Sequence, residues 1–238
     1  AEAASLNREG RGGWTLSQYV SSATDAGGKV SPFVFPTSVS GVNYRGNVEF
    51  WRRAINPAVA GSDESYDFAG FQKIARGWSD TDPYLYDAAS GYPLNPVVGW
   101  VVYDPKLPSG SRFVEWNGSA WVTKAAQPTG WEFNLSKYLA RFPELYAGAT
   151  PTHLSILLGA NDFQNTVPGA VAAGLATFKT NLDRVITSAK SAVPGIKILL
   201  NFPTFCAEQD AWGIQNGTGQ TAAGFIDNIQ RFARFVMN

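Results

Sequence analysis

Apolar residues in this chain follow two regimes. From Asn134 onward they recur at regular intervals, whereas between Lys29 and Gly130 they are dense but irregular, broken by Pro and Gly. The clearest signal is His153 to Phe163, HLSILLGANDF. Leu154, Ile156, Leu157 and Leu158 form an almost continuous apolar run, the pattern of a strand buried on both faces of a parallel sheet. From about Gly169 to Ala192, Val171, Leu175, Phe178, Leu182, Val185 or Ile186, and Ala189 keep the 3.6-residue helical period. Pro168 suits the first position of that helix, and Pro194-Gly195 closes it. Ile196 to Phe202, IKILLNF, predicts a second buried strand. Strand, long helix, strand predicts a right-handed βαβ unit and therefore a parallel sheet. Thr221 to Met237 predicts a last helix with Ala222, Phe225, Ile229, Phe232 and Val236 on one side. Leu135, Tyr138, Leu139 and Phe142 predict another.

Nearer the amino end, Glu9-Gly10-Arg11-Gly12-Gly13-Trp14-Thr15 is a glycine-rich loop leading into a helix. Thr15 or Ser17 caps that helix, Leu16, Tyr19 and Val20 give its apolar face, and it runs to about Ala26, where Gly27-Gly28 end it. Such a loop either binds an anion through its backbone N–H groups or serves as a simple turn. It is not a dinucleotide fingerprint, because no strand precedes it and the glycine spacing is wrong. Within 29–130, Val48 to Ile55 and Phe68 to Ala75 predict short helices and Val97 to Tyr103 a strand. Arg112 to Trp116 and Ala120 to Thr123, joined through Asn117-Gly118, predict a hairpin with aromatic cross-strand partners. Aromatics crowd this stretch from Tyr84 to Phe133, either as core or as platforms for sugar rings. The expected organisation is an α/β core of residues 1–28 and 131–238, with 29–130 as an insertion on one end of the sheet.

Composition narrows the chemistry. Lys plus Arg and Asp plus Glu each number 19, so nothing draws the chain to nucleic acid or an anionic membrane. No apolar run approaches the ~20 residues of a membrane span. One cysteine, Cys206, excludes an intrachain disulfide and a thiolate metal cluster. With one histidine besides, no metal site and no cofactor are expected. AEAASLNREG lacks the pattern of a signal peptide. An extracellular or virion-associated setting is favoured over a cytoplasmic one.

The run 154–158 ends at Gly159-Ala160-Asn161-Asp162, at the carboxyl end of the strand, where open α/β sheets build ligand sites. The Asn161 amide can donate to a developing oxyanion; alternatively, Asn161 and Asp162 simply cap a turn. These four residues match the third block, Gly-x-Asn-Asp, of the SGNH (GDSL-type) hydrolases, and the Glu9–Thr15 loop resembles their second block. Gln209-Asp210-Ala211-Trp212-Gly213 resembles a loop found in carbohydrate-esterase-like members. The resemblance covers roughly half the chain. It implies a flavodoxin-like three-layer α/β/α fold with a parallel sheet, carrying an aromatic-rich insertion with its hairpin. It implies an oxyanion hole of Asn161 and Gly13, with Asp162 supporting. It also implies substrate contacts from Trp14, Gly159, Phe163 and Trp212.

Two blocks of that family are missing. No Gly-Asp-Ser occurs, and no Asp-x-x-His, since His153 is the only histidine. His153 starts the strand that Asn161 follows, and six extended residues cover about 20 Å, so it is expected to be structural. The sequence looks like the middle of such a domain, lacking its first strand and final segment. The expected function is a serine ester hydrolase, acting on O-acetylated carbohydrate, for which this chain supplies the oxyanion hole. Its partners are then a glycan or small acyl ester and a companion chain, or further residues, bearing nucleophile and base. The alternative is a non-catalytic glycan- or receptor-binding module, or a structural module, because Phe113 to Val122 resembles hairpins of phage tail and fibre proteins. A flavodoxin-like ligand binder lacks the phosphate loop it would need.

Overall fold

The computed structural model describes residues 15–22, 30–55, 85–141, 143, 149–163, 171–201, 213–214 and 217–237. Its elements are α1 (Leu16–Val20), β1 (Val34–Pro36), β2 (Tyr44–Asn47), α2 (Val48–Ile55), β3 (Val101–Tyr103), β4 (Phe113–Trp116), β5 (Trp121–Thr123), β6 (Trp131–Phe133), α3 (Leu135–Arg141), β7 (His153–Leu157), α4 (Ala160–Phe163), α5 (Val171–Ala192), β8 (Lys197–Asn201) and α6 (Ala222–Met237). They fall into two compact units. A hairpin unit takes the described residues of Ser22–Glu132 and Lys137–Phe142; a helical unit takes those of Gly13–Ser21, Phe133–Ser136 and Pro143–Asn238. The stretch 29–130 expected as an insertion lies within the first.

In the helical unit the βαβ pattern forms: β7 and β8 pair in parallel from His153↔Lys197 to Leu157↔Asn201, with α5 between them in sequence. The flavodoxin-like three-layer sheet does not form. Among the described residues this parallel sheet has only two strands, and the largest sheet is a mixed one in the other unit. Nor are β7 and β8 buried on both faces. Ile156 is buried and Leu154, Ile198 and Leu200 partly so, while His153, Ser155, Lys197 and Asn201 are exposed. Leu157 and Leu199 share the open face at 64% and 49% exposure. Those two leucines made alternating strands read as continuous apolar runs.

One face is covered by a core of Leu16, Val20, Ile156, Phe163, Val171, Leu175, Phe178, Leu182, Val185 and Phe232. Burial of each large apolar side chain contributes roughly 1.5–3 kcal/mol. Phe163, Phe178 and Phe232 meet ring to ring, with centroids 4.6–5.7 Å apart. α1 starts from a capping box: Gln18 N–H donates to Thr15 Oγ1, and Thr15 N–H donates to Gln18 Oε1. It stops at Val20 rather than near Ala26, because Ser21 is already extended.

In the hairpin unit the sheet order is β2-β3-β4-β5. β2 and β3 are parallel; β3–β4 and β4–β5 are antiparallel. The strand expected over Val97–Tyr103 starts only at Val101. Trp100 N–H bonds back to Val97 O, and Gly99 has φ +87°, which together break the extended run. The hairpin turn is longer than Asn-Gly alone, since Asn117 Oδ1 accepts the N–H groups of Ser119 and Ala120. Val48, Val102 and Val114 form a small core beneath Tyr92, Leu107 and Trp121. Two buried arginines lie over rings instead of in it: the Arg45 guanidinium is 4.0 Å from the Trp100 centroid and that of Arg141 is 4.3 Å from Phe35. The helix expected over Phe68–Ala75 and the position of Cys206 lie outside the described residues.

Phe178 is 3% exposed and touches both Phe163 and Phe232. Phe178→Ala is expected to destabilise this unit by about 3–5 kcal/mol and Phe178→Leu by about a third of that, read as midpoint shifts in urea. Equal small shifts for both would place Phe178 outside the packed core.

Candidate functional site

The Gly159-Ala160-Asn161-Asp162 stretch is where β7 gives way to the one-turn helix α4. Gly159 has φ +112°, a conformation side chains resist, and a Cβ there would sit 3.2 Å from the Phe232 ring. Its carbonyl accepts the N–H of Phe163 and closes the turn. Glycine is required by backbone and packing alike, so its part in the site is to shape the loop.

Asp162 is the best-determined polar group here. Both of its carboxylate oxygens accept the N–H of Leu16, at 3.1 and 3.2 Å, across 146 residues of sequence. Leu16 is the first residue of α1, so this bond satisfies a helix-terminal donor that α1 cannot satisfy itself. Burial pushes the Asp162 carboxyl up to about 6, although the backbone N–H groups of Leu16, Asp162 and Gly159 pull it back. The first N–H of α1 is thus held by the turn after β7.

The Phe163 end of the turn is held by Asn228 of α6 and by Gln220 just before that helix. The Phe163 carbonyl accepts Gln220 Nε2 at 3.4 Å and Asn228 Nδ2 at 3.3 Å. Gln220 is 2% exposed and Asn228 fully buried. Neither was expected from the sequence. For Asn228 a signal exists: an amide between Phe225 and Ile229, in the apolar stripe of a helix, needs a partner. Beside Gln220 a surface cleft of about 480 Å³ opens, lined by Ile214, Gly219, Gln220, Thr221 and Ala223. Across β7–β8, Asn201 Nδ2 donates to Ser155 Oγ at 2.7 Å.

Of the expected substrate contacts, Phe163 is a correction: it is 0% exposed and packs on Phe178 and Phe232, so it supports the turn from below and offers a substrate no surface. Gly13, Trp14 and Trp212, and the side chain of Asn161, lie outside the described residues. His153 is exposed at the start of β7, its Nδ1 2.9 Å from Thr152 Oγ1, at the strand end opposite the turn. Among the described residues no group of three or more His, Cys, Asp or Glu is placed to hold a metal ion, and no helix is long and apolar enough to cross a membrane. No family model, curated protein or solved structure matches this chain.

The raised Asp162 has a defined sign. The folded state holds its proton more tightly than the unfolded chain, so its stabilising contribution is full below about pH 4 and is lost as pH rises through about 6. The shift corresponds to ~3 kcal/mol. Asp162→Asn keeps an acceptor for Leu16 and carries no charge. Its melting temperature relative to wild type is expected to climb between pH 4 and pH 7, by about 5–10 °C. A difference that stays flat across that range would mean the carboxylate is not buried at this cap.

Proposed function

We propose that this chain carries the oxyanion-stabilising part of an SGNH-type serine ester hydrolase acting on O-acetylated carbohydrate. The single observation in its support is the hydrogen bond from Leu16 N–H to Asp162. In such an enzyme the loop before α1 and the turn after β7 must supply donors to one oxygen, and Asp162 ties the two segments together next to Asn161. In the proposed step a serine Oγ attacks the ester carbonyl carbon and passes its proton to a base. The carbonyl oxygen becomes an oxyanion, which the Asn161 side-chain amide and the Gly13 peptide N–H stabilise. The intermediate collapses with loss of the sugar alcohol, which takes the proton, and water then releases acetate from the serine. Serine and base come from residues outside this sequence, on the same polypeptide or a companion chain.

The geometry of α4 suits this part. The last two residues of this one-turn helix are bonded on two sides, Asp162 to Leu16 and the Phe163 carbonyl to Gln220 and Asn228. Donors held before the reaction begins are what oxyanion stabilisation requires. The assay is p-nitrophenyl acetate hydrolysis by the whole polypeptide encoded by the source gene, with any companion chain. Asn161→Ala is expected to lower kcat by about 10²-fold with little change in KM. Hydrolysis unaffected by this substitution, or no hydrolysis by the complete protein, would overturn the assignment.

A further inference from the structure

The aromatic residues of the hairpin unit have separate fates. Tyr86, Trp100 and Phe113 are 5%, 7% and 4% exposed and belong to the interior. Tyr103 and Trp131 close on Phe113 and on each other, the last two at 89°. Tyr92, Trp121 and Trp116 differ. They are half-buried and run as a row, with centroids 5.4 Å apart from Tyr92 to Trp121 and 5.6 Å from Trp121 to Trp116. Trp116 and Trp121 are direct cross-strand partners on β4 and β5. Tyr92 and Trp121 rest on Val48, Val102 and Val114. Val98 is 67% exposed and precedes Gly99, whose N–H donates to the Trp116 carbonyl; its Cγ2 lies 3.4 Å from where a Cβ would stand on Gly118.

We propose that the row Tyr92–Trp121–Trp116 is a binding site for a neutral oligosaccharide of pyranose sugars. A pyranose has an apolar face of C–H groups and a rim of hydroxyls. It therefore suits partly exposed rings, here set about one sugar apart and inclined at 57° to one another. Hydrogen bonds fix the Tyr92 end of the row and the hairpin tip. Tyr92 Oη donates to Asp104 Oδ2 at 2.9 Å, and Asp104 Oδ1 accepts Lys106 N–H at 3.0 Å. Asn117 sits exposed at the hairpin tip, its carbonyl oxygen engaged by Ser119 and Ala120. The rings are held from beneath, so little side-chain freedom is lost when a sugar stacks on them. Nucleic acid fits less well, because stacking on bases works together with a cationic groove. Here Lys106, the cation nearest in sequence to Asp104, is paired with Glu49 at 2.8 Å. The site lies wholly in the hairpin unit and stands whether or not the chain takes part in ester hydrolysis.

The test is a tryptophan-fluorescence titration of the full chain with hexasaccharides of β-1,4-linked glucose, xylose and N-acetylglucosamine. At least one is expected to give a saturable blue shift with Kd of about 1 mM or tighter. Trp116→Ala should weaken that binding tenfold or more, and Trp116→Phe, which keeps a ring, should restore most of it. If Trp116→Ala lowers the melting temperature, Val98→Arg sets a long cation at the exposed position next to the Gly99–Trp116 backbone bond without touching the core, and should weaken binding likewise. No saturable shift with any of the three sugars, wild-type affinity in the Trp116→Ala and Val98→Arg variants, or preferential saturable binding of oligo-dT, would each overturn the proposal.

Discussion

A largely buried carboxylate that accepts the N–H of Leu16 is what the helical unit turns on. Asp162 joins the turn after β7 to the start of α1, two pieces of chain 146 residues apart. The bond comes at an energetic disadvantage, since burial disfavours the ionised form and raises the carboxyl to about 6. A neutral amide would do the structural part at lower cost. Everything around it is arranged to hold α4 still: Gly159 gives the backbone its sharp entry, Phe163 drives a ring into the core, and Gln220 and Asn228 take up its carbonyl.

Local pattern and long-range contact were unequally legible in the sequence. The helical period of α5, the apolar stripe of α6 and the hairpin depend on neighbours a few residues apart, and all formed; β7 and β8, with His153 opposite Lys197, paired in parallel as well. The layered sheet required more: strands joining β7 and β8 on either side and helices covering both faces. An apolar run reports only that a strand is greasy. It does not report how many layers cover it, and Leu157 and Leu199 are greasy and exposed. Phe163 misled in the opposite sense. An aromatic just after a polar turn reads as a substrate contact, yet α4 rotates it inward onto Phe178 and Phe232.

For the candidate site, residue types were legible and partners were not. Asn161 and Asp162 stood out because amide and carboxylate groups end an apolar strand. That Asp162 would receive Leu16, or that Phe163 O would receive Gln220, leaves no trace in spacing. The aromatic density between Tyr84 and Phe133 was equally plain as composition, while its division into interior rings and a surface row depends on the alternation of β4 and β5. Val114 and Trp116 point to one side, and Trp121 joins them by register.

Asn228 has a consequence for how α6 docks. Along this helix Phe225, Ile229 and Phe232 repeat at steps of three and four, so hydrophobic contact alone scarcely distinguishes the observed seating from one slid by a turn. In a slid seating the fully buried Asn228 would leave the Phe163 carbonyl, and its amide would face apolar groups at a cost of about 1–3 kcal/mol. A single side chain thereby acts as a key, rejecting misaligned packings that the greasy stripe would accept.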